Sequence, residues 1–321
     1  MQLLQTSINW KKCADLPIAM YNGRTEIING KVYFRGMTLT DDEDDDDNIL
    51  LCYDVVHDNW TALPPLPVKW FGLGQVDGKL VAVGGLKKDD RATNNTYTLN
   101  VVQKWKPALP QMPTARCLSA VVSLPAIMIV VGGLTGGELR KEKELNVVEI
   151  FNSNLSQWYR TNPLPRPCSE VSLVTINDTC YTLGGYQYPH RLNQAHYVSV
   201  DTLLHNAVPA YQTTCHNDSS DTPSLWKPLP STPSYRPAAA VLAGSLLAIG
   251  GGQASISEAD KKEVYMYSQS TNSWIYICDL PAPRSRAIVA MLSSTDILVI
   301  GGMEYGERVC TVYKGTLRLN S

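Results

Sequence analysis

An all-β propeller of six blades, each a four-stranded antiparallel sheet, is the fold class that three features of the sequence predict. Apolar runs end in glycine pairs, tryptophans interleave with them, and the spacing between the two is nearly constant. The runs LVAVGG, IMIVVGG, CYTLGG, LLAIGG and ILVIGG end at Gly84-Gly85, Gly132-Gly133, Gly184-Gly185, Gly250-Gly251 and Gly301-Gly302, and a degenerate VYFRG ends at Gly36. Trp10, Trp60, Trp105, Trp158, Trp226 and Trp274 alternate with them. From each Trp to the end of the next glycine motif is 26, 25, 28, 27, 25 and 28 residues. From glycine motif to the following Trp the distances are 24, 20, 25, 41 and 23, so insertions collect in one half of the repeat, where variable functional loops belong.

Each unit reads as strands in a fixed order. After the Trp comes a Leu/Met-Pro turn, as in LPQMPTAR, then a small-residue apolar strand such as RPAAAVLAG. The strand ending in the glycine pair follows, then a polar loop. A third strand then carries Tyr53, Phe151 or Tyr267 seven residues before the next Trp. The blades so defined span about 18–66, 67–111, 112–165, 166–231, 232–281 and 282–319, the last completed by residues 8–16. That completion is needed because the final unit, SRAIVAML, DILVIGG and RVCTVYKGTL, lacks a Trp strand, while SINWKKCADLP at the other end is a Trp strand with no predecessors. Pairing the two closes the ring and removes an open sheet edge. By analogy with blade 5, Tyr313 then takes the place of Tyr267, and Cys310 falls opposite Cys13; two reduced thiols are expected there.

The chain of 321 residues, 44% of them hydrophobic, is long enough for a full core, and its 28 basic residues nearly balance 30 acidic ones. No global field favours nucleic acid or an anionic membrane, so neither is an expected partner. No run of about eighteen apolar residues and no basic-then-apolar leader is present. Eight scattered cysteines without a Cys-x-x-Cys pair favour a reducing compartment over a zinc site. A monomeric, cytoplasmic protein without a cofactor is the resulting expectation.

Glycine pair, then Tyr or Phe, then Trp, repeated about every 50 residues, resembles the kelch repeat, and the resemblance covers essentially the whole chain in six copies. It implies that the face carrying the strand-two-to-three loops and the blade-joining loops binds the partner, together with the channel mouth. At the entrances to the innermost strands stand Tyr21, Trp70, Arg116, Cys168, Arg236 and Arg286, with Tyr235 and Arg284 beside them and Tyr186 after its glycine pair. Arginines among aromatics at a concave mouth suit a protein or peptide ligand with an acidic segment. The same forks can equally brace loops through backbone carbonyls. Kelch adaptors of cullin ubiquitin ligases present comparable arginines, but here Trp70 and Cys168 interrupt the ring.

Other kelch-like proteins imply two alternatives: a carbohydrate-processing enzyme of the mutarotase kind, and an actin-binding scaffold. A copper oxidase would need converging ligands, whereas the five histidines (His57, His190, His196, His205, His216) match no ligand set, and no nucleophile elbow or phosphate loop occurs. A non-catalytic recognition module is therefore the expected function. The acidic run Asp41 to Asp47, with Asp42, Asp44, Asp45 and Asp46 among its members, lacks the alternation and glycine of a calcium loop. It falls in the strand-two-to-three loop of blade 1, as a solvated segment or a bait for a basic partner segment. The insertion His205 to Ser224 reads as an aperiodic loop on the opposite face.

Overall fold

The computed structural model describes residues 6–38, 49–99, 104–107, 109–136, 143–210, 223–252 and 260–319. The chain opens with β1 (Thr6–Lys12). Blade 1 follows as β2 (Tyr21–Ile28), β3 (Lys31–Met37), β4 (Leu50–Asp54) and β5 (Asn59–Leu63), hydrogen-bonded in chain order. Blade 2 is β6 (Gly72–Val76), β7 (Lys79–Val83), β8 (Thr96–Leu99) and β9 (Trp105–Pro107). Blade 3 is β10 (Ala120–Leu124), β11 (Ile127–Val131), β12 (Val148–Asn152) and β13 (Gln157–Thr161). Blade 4 begins with β14 (Ser172–Ile176) and β15 (Thr179–Leu183), then a small hairpin of β16 (Tyr186–Gln187) and β17 (His190–Arg191). It continues through β18 (Ala195–Ser199), α1 (Val200–His205) and β19 (Val208–Pro209) to its outermost strand, β20 (Lys227–Leu229). Blade 5 is β21 (Ala238–Leu242), β22 (Ser245–Ile249), β23 (Glu263–Ser268) and β24 (Ser273–Asp279). Blade 6 is β25 (Ile288–Met291), β26 (Asp296–Ile300) and β29 (Val312–Leu319), with a second small hairpin of β27 (Met303–Glu304) and β28 (Glu307–Arg308) before its third strand. β1 supplies its fourth strand.

Two-residue turns join the first two strands of several blades. Asn29-Gly30 and Asp77-Gly78 hold both residues at positive φ, the conformation whose twist matches paired strands. The innermost strands β2, β6, β10, β14, β21 and β25 pack side by side in a closed ring. The core lies between blades: Val32, Phe34, Leu51 and Tyr53 of blade 1 pack against Leu298, Ile300 and Val312 of blade 6.

Four of the glycine pairs and four of the tryptophans join neighbouring blades. The N–H of Gly85, Gly133, Gly251 and Gly302 donates to the carbonyl of Arg116, Cys168, Arg284 and Met20, in each case at the start of the following blade. A side chain cannot stand there: at Gly133, with φ 109°, a Cβ would lie 2.7 Å from the Cys117 oxygen. The tryptophans reach the other way. The indole N–H groups of Trp60, Trp105, Trp158 and Trp274 donate to the carbonyls of Ala14, Pro64, Pro110 and Pro230, where the preceding blade ends. These four tryptophans therefore hold a fixed place against the turn behind them, which explains their spacing better than space-filling alone. Tyrosine or phenylalanine packs across the strands on Trp in Tyr53–Trp60, Phe151–Trp158 and Tyr267–Trp274, with centroids 4.7, 5.2 and 5.6 Å apart.

Blade 6 closes as expected, with a different register. Trp10 stands opposite Gly315, so Tyr313 is not the counterpart of Tyr267; it faces Lys12. A Cβ at Gly315 would come within 2.5 Å of the Trp10 ring, so glycine makes room where blades 1, 3 and 5 place an aromatic. The Cys13 N–H bonds to the Val312 carbonyl and the Leu16 N–H to that of Cys310, so the two thiols are offset, and both are free.

A helix leads into the blade 4 insertion and a short strand lies within it, so His205 to Ser224 is not all loop. Ser199 caps α1 by accepting from the Thr202 N–H, Asp201 sits in its first turn and His205 in its last. β19 then pairs with β13, giving blade 3 a fifth strand, and the Thr161 hydroxyl donates to the Leu203 carbonyl at 2.6 Å. Residues 211–222 of the insertion lie outside the described residues.

Candidate functional site

The entrances to the innermost strands form two rings at two depths. The deeper ring is Met20, Val68, Arg116, Cys168, Ser234 and Arg284, all buried; four of these supply the carbonyls bound by the glycine N–H groups. Two residues further along each strand lies the lip: Asn22, Trp70, Leu118, Glu170, Arg236 and Arg286, every one with φ between 52° and 58°. Around the lip, Leu118, Glu170 and Asn22 donate their N–H to Trp70, Leu118 and Arg286, their equivalents one blade back. The positions aligned by sequence reading thus mix the rings. Arg116 and Cys168 belong to the deeper one, and Tyr21 is one residue short of the lip.

This offset divides the arginines. Arg116 is wholly buried; it pairs with Glu149 and donates to the Gly132 and Val147 carbonyls at 3.2 and 3.0 Å. Burial lowers its pKa and Glu149 counters that. Arg160 reaches the same carboxylate at 3.4 Å, and Thr114 donates to it at 2.6 Å. Arg284 is 1% exposed and ties down the β27–β28 hairpin through Glu304 at 2.6 Å, with Thr311 and the ring of Tyr313 beside it. Both arginines brace.

Arg236 and Arg286 stand at the lip. Arg236 pairs with Glu170 and lies 5.4 Å from the Tyr186 ring centroid. Arg286 is half-buried over Tyr21, also at 5.4 Å. Arg24, which sequence reading missed, reaches across the channel from β2. Its guanidinium donates to the carbonyls of Ser119, Gly23 and Val171 at 3.2, 2.9 and 3.2 Å, bracing blades 3 and 4 from blade 1. Desolvation lowers Arg24 to about 10, and burial, with Arg286 and Arg24 nearby, lowers Arg236 to about 9. Arg191 on β17 is lowered by burial and then by Arg286, with Asp260 acting in the opposite sense. Arg24 and Arg286 thus lie near enough to act on Arg236, and Arg286 near enough to act on Arg191, which gathers four positive charges about the mouth. Neither Arg24 nor Arg286 has a carboxylate within ion-pair distance among the described residues.

Trp70 is half-buried on the opposite side of the lip, under the Lys69 ammonium at 4.9 Å and against Leu118 and Leu134. Tyr235 is half-buried and exchanges backbone bonds with Gly252. Tyr186 does so with Ser169. Two aromatics that the sequence pattern did not single out, Tyr188 and Tyr305, are 77% and 70% exposed at the tips of the small hairpins on this face. Asp41, Asp42, Asp44, Asp45, Asp46 and Asp47 lie outside the described residues.

Below the lip the channel holds a cavity of about 290 Å³ lined by the inner strands. Glu26 faces it, accepting from Ser123 at 2.9 Å, from Gln75 at 3.1 Å and from the Ile27 N–H at 3.2 Å. Burial pushes its carboxyl up despite those bonds. No group of three His, Cys, Asp or Glu that could hold a metal ion occurs among the described residues, and no helix among them is long and apolar enough to cross a membrane.

Residues 71–302 match the KLHDC2/KLHL20/DRC7 Kelch-repeats domain. The chain is similar to Kelch-like protein terF of Aspergillus terreus, 24% identical over 278 residues that cover 83% of this chain and 57% of that protein. It is similar also to Kelch-like protein 40 of Mus musculus, 29% identical over 168 residues that cover 51% of this chain and 26% of that protein. The chain thus spans between about a quarter and three-fifths of the length of these relatives. Among solved structures, YjhT superposes with a TM-score of 0.73 at 15% identity, covering 95% of this chain and 99% of that one, a likeness of fold.

Proposed function

Because the chain belongs to the kelch-repeat β-propeller family, we propose that it is a non-catalytic recognition module whose lip receives an acidic segment of a protein partner. The observation that carries this reading is the gathering of Arg24, Arg191, Arg236 and Arg286 about the mouth. A carboxylate arriving there gains charge-assisted bonds in a partly desolvated setting. Tyr188 and Tyr305 rise beside it as rigid apolar contacts of the kind that dominate protein interfaces. A basic stretch of the same partner suits Asp41 to Asp47 at blade 1. A cytoplasmic setting belongs to the same reading, supported by seven described cysteines that are all free.

Affinity capture with the full chain, followed by mass spectrometry and repeated with Arg286→Ala, tests the reading. Partners with acidic segments should be retained by the parent protein and reduced about tenfold or more with the variant, the scale of one charge-assisted bond. Equal capture by both proteins would sink the assignment of the lip.

The channel favours a second reading, a carbohydrate-processing role. A carboxyl raised by burial, facing a cavity of about 290 Å³, has the character of a general acid. Interconversion of sugar anomers followed by NMR, lost in Glu26→Gln, would support it.

A further inference from the structure

On β16, successive side chains point to opposite sides. Tyr186 lies under Arg236 toward the channel, whereas Gln187 turns outward to Arg166. The Gln187 amide oxygen accepts from Arg166 Nε at 2.9 Å and from its Nη2 at 2.5 Å, and the Gln194 oxygen accepts from Nη1 at 2.9 Å. Arg166 has no carboxylate partner among the described residues. Two neutral amides thus orient the guanidinium while leaving its charge uncompensated.

The donor inventory of this pocket is one-sided. A guanidinium has five N–H groups, so one remains on each terminal nitrogen of Arg166. Both glutamine oxygens are engaged by the arginine, which leaves the NH₂ group of each amide to donate. His196 and Ser231 line the same pocket, and burial followed by the proximity of Arg166 keeps His196 below its ordinary pKa. A site rich in fixed donors around one positive charge suits a group with several acceptor oxygens and a negative charge.

We propose that the Arg166 pocket on the outer flank of blade 4 binds an oxyanion, a carboxylate or phosphate group, held by Arg166, Gln187 and Gln194. It is separate from the lip: Arg236 and Arg166 stand on opposite sides of the β16 strand, and the pocket needs none of the channel arginines.

The test is an NMR titration of the full chain with inorganic phosphate and, separately, with glutarate, following the His196 imidazole signals. A saturable shift with at least one anion is expected, and the arm that saturates identifies which oxyanion the pocket takes. Arg166→Gln should weaken that binding about tenfold or more, the scale of losing charge-assisted bonds. Arg166→Lys keeps the charge and most of the stem but cannot engage both amides through a planar fork, so it too should bind more weakly. A shift that stays linear with both anions, indicating an adventitious ion only, overturns the proposal. So does a midpoint unchanged in folded Arg166→Gln or, should that variant unfold, in Arg166→Lys.

Discussion

Gly133 sits at φ 109° with its N–H bound to Cys168, and the added methyl of Gly133→Ala would meet the Cys117 carbonyl. That substitution should cost about 1–3 kcal/mol, read as a lower urea midpoint at unchanged slope. Arg286 differs in kind. Its contact with the Tyr21 ring is worth about 0.5–1 kcal/mol at a half-exposed site, less than a charge-assisted bond to an incoming carboxylate. Arg286→Ala should therefore lower Tm only slightly while weakening binding. Glu26 gives a pH signature. Its folded pKa is raised, so its stabilising contribution is fully present below the ordinary glutamate value of about 4.3 and is lost as pH rises through the folded value. Glu26→Gln, which stays uncharged, should gain stability relative to the parent as pH rises from about 4 to 7, measured as the difference between their Tm values. Asp58 works in the opposite sense: the Tyr53 hydroxyl lowers its pKa, so its contribution is lost as pH falls.

At the scale of the strand and its connection, the buried Arg116–Glu149 pair joins the entrance of blade 3 to its third strand, and Arg160 draws in the fourth. Glu149→Gln leaves a desolvated guanidinium without its counter-charge and should destabilise by about 3–5 kcal/mol in chemical denaturation. The sequence pattern made strand order, blade number and the Trp and glycine positions legible, because each depends on a repeated local geometry. The distinction between bracing and lip arginines was also present in the spacing. Counting back fourteen residues from the first glycine of the pair lands on Trp70, Leu118, Glu170 and Arg236, all lip residues. Placing the strand entrances two residues earlier in blades 3 and 4 brings in Arg116 and Cys168 instead. Arg24 and Arg166 could not be found this way, since what distinguishes them is the partner: carbonyls of blades 3 and 4 for one, two amides for the other. The segment leading into the insertion carries a readable helix signal in Ser199 and Asp201, but the pairing of β19 with β13 depends on which strand edge stands open nearby.

Around the ring, blades 2, 3, 5 and 6 are bonded forward through glycine and blades 1, 2, 3 and 5 backward through tryptophan, so loosening one joint weakens the next. β1 completes this circuit by pairing with β29 from Thr6↔Leu319 to Lys12↔Tyr313. Removing residues 1–16 takes away that strand and also the Ala14 carbonyl that holds Trp60. The truncated chain should lose a single sharp thermal transition, with fast amide exchange first in β29 and β5; an unchanged Tm would show that closure contributes little.

The pairing of β1 with β29 has a second consequence, one of direction. Innermost strands start at the lip and neighbours in a blade alternate, so the outermost strand β1 begins, and the third strand β29 ends, on the side away from the lip. Thr6 and Leu319 lie side by side there. A short peptide could splice them, and a chain recut at an exposed turn should fold to the same ring as a circular permutant. By the same geometry, the β1–β29 edge points away from the arginine-bearing lip, so a splice between Thr6 and Leu319 leaves that face untouched.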